Sequence, residues 1–167
     1  MNRLTVLVSG VIASFSLSAS PVSPQVVVTP PLPQLEGAWQ VVVTLRVDAP
    51  DCKTAEIVGF GPNPFASFNT FHRGGTMSEF GTRVPPAART SGHGVWKRTG
   101  DSSFKYRSEF LIFDGTGLVA ASMDIRSNLR LSRTGNKFTG VSRLVMTEVS
   151  GNVQPFCATL SGERIRL

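Results

Sequence analysis

Residues 103–132 read SFKYRSEFLIFDGTGLVAASMDIRSNLRLS, and the reading of this stretch decides the fold. From Ser103 to Phe113 the residues alternate. Phe104, Tyr106, Ser108, Phe110 and Ile112 share one face, and Lys105, Arg107, Glu109, Leu111 and Phe113 share the other. A period of two marks a strand, because successive side chains point to opposite faces. Asp114-Gly115-Thr116-Gly117 is a tight-turn sequence. Leu118 to Ser132 then resumes the alternation. Val119, Ala121, Met123, Ile125, Leu129 and Leu131 lie on one face, and Ser122, Asp124, Arg126, Asn128 and Arg130 on the other. Two long strands joined by so short a turn form an antiparallel hairpin.

The same pattern extends both ways from this hairpin. Downstream, Arg133-Thr134-Gly135-Asn136 turns the chain into a strand from Lys137 to Val149. Phe138, Gly140, Ser142, Leu144 and Met146 share one of its faces. Ser150-Gly151-Asn152 turns it again into a last strand from Val153 to Leu167. Upstream, Gly92 to Arg98 is a strand ending before Thr99-Gly100-Asp101, and residues 81–90, with Pro85-Pro86, form a loop. Phe65 to His72 and Thr76 to Phe80 flank Arg73-Gly74-Gly75, which serves as a hairpin turn or a bulge. Ala55 to Phe60 is a short strand broken by Gly61-Pro62-Asn63-Pro64. Gly37 to Val47 is the first strand, built on the β-branched run Val41-Val42-Val43-Thr44. No stretch has a helical period. About eight strands in consecutive hairpins predict an all-β fold, an antiparallel up-and-down barrel. A two-sheet sandwich is the alternative, but it usually needs longer crossing connections.

Composition narrows the class. A chain of 167 residues has room for one ordinary domain. Hydrophobic residues at 41% and charged residues at 17% suit a packed globule and exclude a disordered chain. The formal charge is +6, but the basic residues are scattered and form no run, so no nucleic-acid partner is expected. Met1-Asn2-Arg3, an uncharged apolar run from Leu4 to Leu17, and Ser18-Ala19-Ser20 match the three-part export signal. A buried N-terminal helix is the alternative. The apolar run is too short to span a bilayer, and no membrane span is expected. Residues 1–20 are therefore read as a signal peptide, 21–34 as a Pro-rich tether and 35–167 as the barrel domain. Removal of the signal takes away Arg3 and no acid, leaving +5. The expected location is secreted or periplasmic.

Cys52 and Cys157 are the only cysteines. In an oxidising compartment an even count points to a disulfide between the loop after the first strand and the last strand. In the loop-entropy model such a closure constrains the unfolded chain by roughly 4–5 kcal/mol. Two free buried thiols are the alternative. Two cysteines lack the spacing of a zinc motif, and no metal is expected.

Gly37-Ala38-Trp39, at the start of the first strand, resembles the Gly-x-Trp of the lipocalins and the wider calycin group of small antiparallel barrels. The resemblance implies that Trp39 closes one barrel end and that Arg164 or Arg166, on the last strand, packs across it. An Arg guanidinium over an indole face is favourable. The Thr-Asp-Tyr-type lipocalin motif is absent, so the likeness is to a calycin-like barrel outside the typical lipocalins. The blocks Thr70 to Thr76, Gly92 to Trp96 and Cys157 to Gly162 are similar to uncharacterised secreted bacterial proteins.

An eight-stranded barrel holds packed side chains or one small ligand. The cavity candidates are Phe68, Phe71, Phe110, Met123, Phe138 and Met146, with Tyr106 as a polar handle and Ala121, Gly140, Ser142 and Ala158 leaving volume. His72, His93 and Glu79 are candidate metal ligands, but their spacing fits no motif, and exposed histidines near turns are the plainer explanation. Glu79, Glu109, Asp124, Glu148 and Tyr106 are candidate acids or bases. No Gly-x-Ser-x-Gly segment or phosphate loop occurs. The leading expectation is a non-catalytic barrel that binds a small apolar or amphipathic ligand and needs no cofactor. The alternatives are a cavity enzyme of the isomerase or cyclase type, resembling allene oxide cyclases and dirigent proteins, and a structural module with a filled core. An open cavity without buried carboxylates favours binding. An inward Glu79, Glu109 or Glu148 favours catalysis.

Overall fold

The computed structural model describes residues 32 and 34–167. The expected signal peptide 1–20, and the tether 21–34 apart from Leu32 and Gln34, lie outside the described residues. Eight strands follow one another: β1 (Gly37–Val47), β2 (Phe65–Phe71), β3 (Thr76–Gly81), β4 (Gly92–Arg98), β5 (Ser103–Phe113), β6 (Val119–Leu131), β7 (Lys137–Glu148) and β8 (Val153–Arg164). Each pairs antiparallel with the next, and β8 returns to β1, so the sheet is a closed up-and-down barrel. Closure runs from Trp39 opposite Arg164 to Val47 opposite Phe156. A closed sheet leaves no edge on which a second chain can add a strand.

The turns follow from their residues. In the β5–β6 hairpin, the Asp114 carboxylate accepts the backbone N–H groups of Thr116 (2.8 Å) and Leu118 (3.1 Å). Gly117 then takes a φ of +86°, a conformation that side chains with a Cβ rarely adopt. One element differs from expectation. Residues 55–60 form no strand, and only Ile57 makes a bridge, to Arg46. The reason is Asn63. Its side-chain amide accepts the Leu45 N–H (3.0 Å) and donates to the Val58 carbonyl (3.1 Å), so of the Leu45–Val58 ladder bonds only the one from the Val58 N–H to the Leu45 carbonyl (3.1 Å) forms.

The barrel interior is layered. At one end Trp39, Phe71, Phe104 and Phe138 are fully buried together with Leu35 from the incoming chain. The Trp39 and Phe138 rings lie 4.9 Å apart, and the Trp39 indole N–H donates to the Leu35 carbonyl (2.9 Å). Arg164 sits 4.3 Å above the Trp39 ring, and its guanidinium donates to the carbonyls of Gly135, Glu36 and Gln34. Gly162 makes room for this plug, since a Cβ there would lie 2.3 Å from the Phe138 ring.

On the outer wall, Cys52 and Cys157 form a disulfide with a Cα–Cα distance of 5.8 Å. It pins the β1–β2 connection to β8. Arg143 reinforces the tie, donating to Asp48 (2.7 Å) and to the carbonyls of Ala49 and Pro50. Among the described residues no helix is long and apolar enough to cross a membrane.

Candidate ligand cavity

Away from the plug the interior is not filled. A cavity of about 250 Å³ occupies this end, lined by all strands but β4 and by Phe60, Arg83, Val84 and Arg89 from the connections. Its walls are mostly apolar, with Val41, Val43, Ile125, Leu144 and Leu160 among them. Nearer the mouth stand Met123, Met146, Phe156 and Ile112. Arg83 ties the mouth together: it donates to the carbonyls of Pro62 (2.6 Å) and Phe60 (2.5 Å) and lies 5.1 Å from the Phe60 ring.

The floor, next to the aromatic plug, is polar. Tyr106 from β5, Ser142 from β7 and Asn69 from β2 are buried there, and the buried Ser127 from β6 adjoins Ser142. The Ser127 and Ser142 hydroxyls are 2.5 Å apart, and the Ser67 hydroxyl donates to Asn69 Oδ1 (3.0 Å). The Tyr106 phenol lies among Ser127, Ser142 and Asn69. Burial pushes its pKa up from the usual value, and the nearby Glu79 charge pushes the same way. The phenol is therefore neutral at physiological pH and can both donate and accept.

An ion pair stands beside the floor. Glu79 from β3 and Arg89 from the β3–β4 connection are each 6% exposed, and Arg89 Nη2 donates to Glu79 Oε1 at 2.9 Å. The Arg89 guanidinium lies 3.6 Å from the centre of the Phe110 ring. Gly92 makes the arrangement possible. A Cβ there would lie 2.6 Å from the Glu79 side chain.

The sequence candidates separate by position. Tyr106, Phe110, Met123 and Met146 line the cavity, as do Ser142 and Ala158. Phe71 and Phe138 are buried in the closed-end plug instead. Phe68 corrects the expectation: it is 48% exposed on the outer wall. Phe68 and Phe71 are three apart on one strand, so they must face opposite sides. Gly140 leaves no ligand space, because a Cβ there would meet Leu129 at 2.5 Å.

The candidate metal ligands do not converge either. His72 and His93 are exposed outside the wall, His72 near Ser78 (3.3 Å), while Glu79 is inside. Among the acids, Glu109 and Asp124 lie on the outer face and pair with Arg107. Glu148 is held at the rim by Asn152 and Gln154. Glu79 alone among these candidate carboxylates lines the cavity.

Sequence reasoning missed Arg89, Asn69, Ser67 and Ser127. The two serines and Asn69 carry a usable signal, since each falls on the inward register of its strand. Arg89 carries none, because it sits in a loop beside two prolines.

No family model and no curated protein matches the chain. The crystal structure of Rv2717c from M. tuberculosis is similar to it at 12% identity, with 79% of this chain and 93% of that chain covered and a TM-score of 0.38.

Proposed function

We propose that the barrel binds one small amphipathic molecule, with its apolar body against the strand walls and its polar head on the floor. The carrying observation is the cavity of about 250 Å³ with apolar walls above a hydroxyl-rich floor. Ligand sites are typically apolar pockets with a few converging polar groups. A filled interior, the plainest alternative, is at odds with that volume, which has room for about eight waters at liquid density. We read the barrel as calycin-like, on Gly37-Ala38-Trp39 and the placement of Arg164 over Trp39, and as an exported protein, supported by the Cys52–Cys157 bridge.

One observation favours a second function, a cavity isomerase or cyclase: Glu79 and Tyr106 line the same space. The inward Glu79 meets the condition given above for catalysis, whereas its ion pair with Arg89 favours binding, because the pair holds the carboxylate as a fixed acceptor.

The test is native mass spectrometry of protein purified from its own host, followed by titration with medium-chain alcohols. Binding predicts a retained mass or a one-to-one complex that Met123→Trp, which fills the cavity, abolishes. Bare protein that takes up none of these molecules sinks the proposal.

A further inference from the structure

The charge state of the ligand follows from how the cavity's own charges are used. Arg89 is the natural anchor for an anionic head, yet each of its three nitrogens already has an acceptor inside the protein. Nη2 donates to Glu79, Nε to the Thr90 carbonyl (2.8 Å) and Nη1 to the Gly81 carbonyl at 3.5 Å. Arg83, the other cavity-lining cation, is engaged by the carbonyls of Phe60 and Pro62. The Glu79–Arg89 pair sums to zero charge in a buried site. An anion on the floor would lie beside Glu79, and a cation beside Arg89. Either would bring an uncompensated charge beside a buried pair.

What the pair leaves over is an acceptor. Glu79 Oε2 is buried and has no hydrogen-bond partner. Among the described residues two other buried side-chain atoms share that condition, Arg46 Nε and Ser108 Oγ, and neither residue lines the cavity. Glu79 Oε2 is covered by protein atoms, so the Glu79 side chain must turn slightly for a ligand N–H or O–H to reach it, and that contact would relieve the desolvation penalty of a buried carboxylate oxygen without a donor. The floor beside it offers the Tyr106 phenol and the Ser142 hydroxyl, which both donate and accept.

We propose that the cavity selects an uncharged, hydroxyl-bearing ligand, an aliphatic alcohol or a phenol, whose O–H donates to Glu79 and whose oxygen accepts from the Tyr106 hydroxyl group. This rests on the binding function proposed above. A carboxylate head cannot donate to Oε2. An ammonium head donates but cannot accept, and it faces Arg89. A hydroxyl does both without charge.

Calorimetric titration of the full mature chain with octanol, octanoate and octylammonium at neutral pH tests this. The three probes share one tail, so the head alone decides. Octanol is expected to bind about tenfold or more tighter than either ion. Glu79→Gln frees the Arg89 charge and is expected to raise octanoate affinity several-fold. Tyr106→Phe keeps the ring and is expected to lower octanol affinity roughly tenfold, which keeps the test open if Glu79→Gln fails to fold. Octanoate or octylammonium matching octanol on the wild-type chain overturns the selection for a neutral head and leaves the binding function standing. If none of the three binds, the binding function falls with it.

Discussion

The two ends of this barrel are built from the same eight strands and held in different ways. At the closed end Trp39, Phe71, Phe104 and Phe138 fill the interior, and Arg164 covers the indole. Stability there comes from apolar packing. At the open end the interior is left partly empty, and the walls are tied by polar and covalent links: the Glu79–Arg89 pair, the Arg83 contacts, Arg143 on the 48–50 turn, and the Cys52–Cys157 bridge. A barrel that keeps a cavity forgoes core packing in that layer. The difference shows where the replacement comes from, namely buried charge and cross-links in the surrounding wall and loops.

The sharpest way to break the comparison is Trp39→Ala. Truncating a fully buried aromatic in the plug is expected to cost about 3–5 kcal/mol of unfolding free energy in a denaturant titration. Met146→Ala, on the half-buried cavity wall, is expected to cost only about 1 kcal/mol. Equal losses at the two positions would mean that the open end is packed as tightly as the closed one.

Next comes Arg89→Met, which strands the buried Glu79 carboxylate and is expected to cost about 3 kcal/mol. Arg89→Met combined with Glu79→Leu should recover most of that loss, because an apolar pair carries no desolvation penalty. If the double variant is as unstable as the single, the pair is not the tie described above.

Replacing Cys52 and Cys157 by serine is expected to cost about 2–4 kcal/mol. The effect should be local as well as global. Hydrogen exchange should quicken in residues 48–64 while the amides around Trp39 and Phe138 keep the highest protection. Faster exchange at the plug instead would show that the bridge supports the whole barrel equally.

The smallest effect is a pH dependence. Tyr106 is the single tyrosine of the chain, so tyrosinate absorbance reports it alone. Burial, aided by the Glu79 charge, raises its folded pKa above the ordinary value of about 10. Its contribution to stability is thus present below that ordinary value and lost as pH rises through the folded one. Tyr106→Phe should flatten the alkaline fall in melting temperature. Ionisation at the ordinary value would place the phenol in water and not on a buried floor.

Much of the fold is legible in the residues. The bounds of β1, β4 and β5 fall where alternation and turn residues put them, and β6 differs by one residue at each end. These strands combine a strict period of two with Gly- or Asp-containing turns, which are local signals. Residues 55–60 misled because an apolar run alone does not reveal that Asn63 competes for the backbone of Leu45. The site is less legible. Tyr106, Phe110, Met123 and Met146 sit on inward registers and line the cavity. Phe68 was chosen for its aromatic ring against its own register, and the strand's period of two turns it outward. Ser127 and Asn69 are inward and polar, so a search for apolar faces passes over them.

Outside residues 55–60 the sequence by itself determined the strands and their order, and it pointed to the disulfide partners, because alternation, turn chemistry and a cysteine count of two are properties of neighbouring residues or of simple arithmetic. Only the tertiary structure decided which end is plugged and which is open. That depends on side-chain volumes summed across eight strands: Gly162 yields to Phe138 at one level, and Gly92 admits the Glu79 side chain at another. It also decided that Arg89, a loop residue beside two prolines, is buried against Phe110 and bonded to Glu79. No local pattern encodes that partnership, because its partners are brought together by barrel closure and not by spacing along the chain.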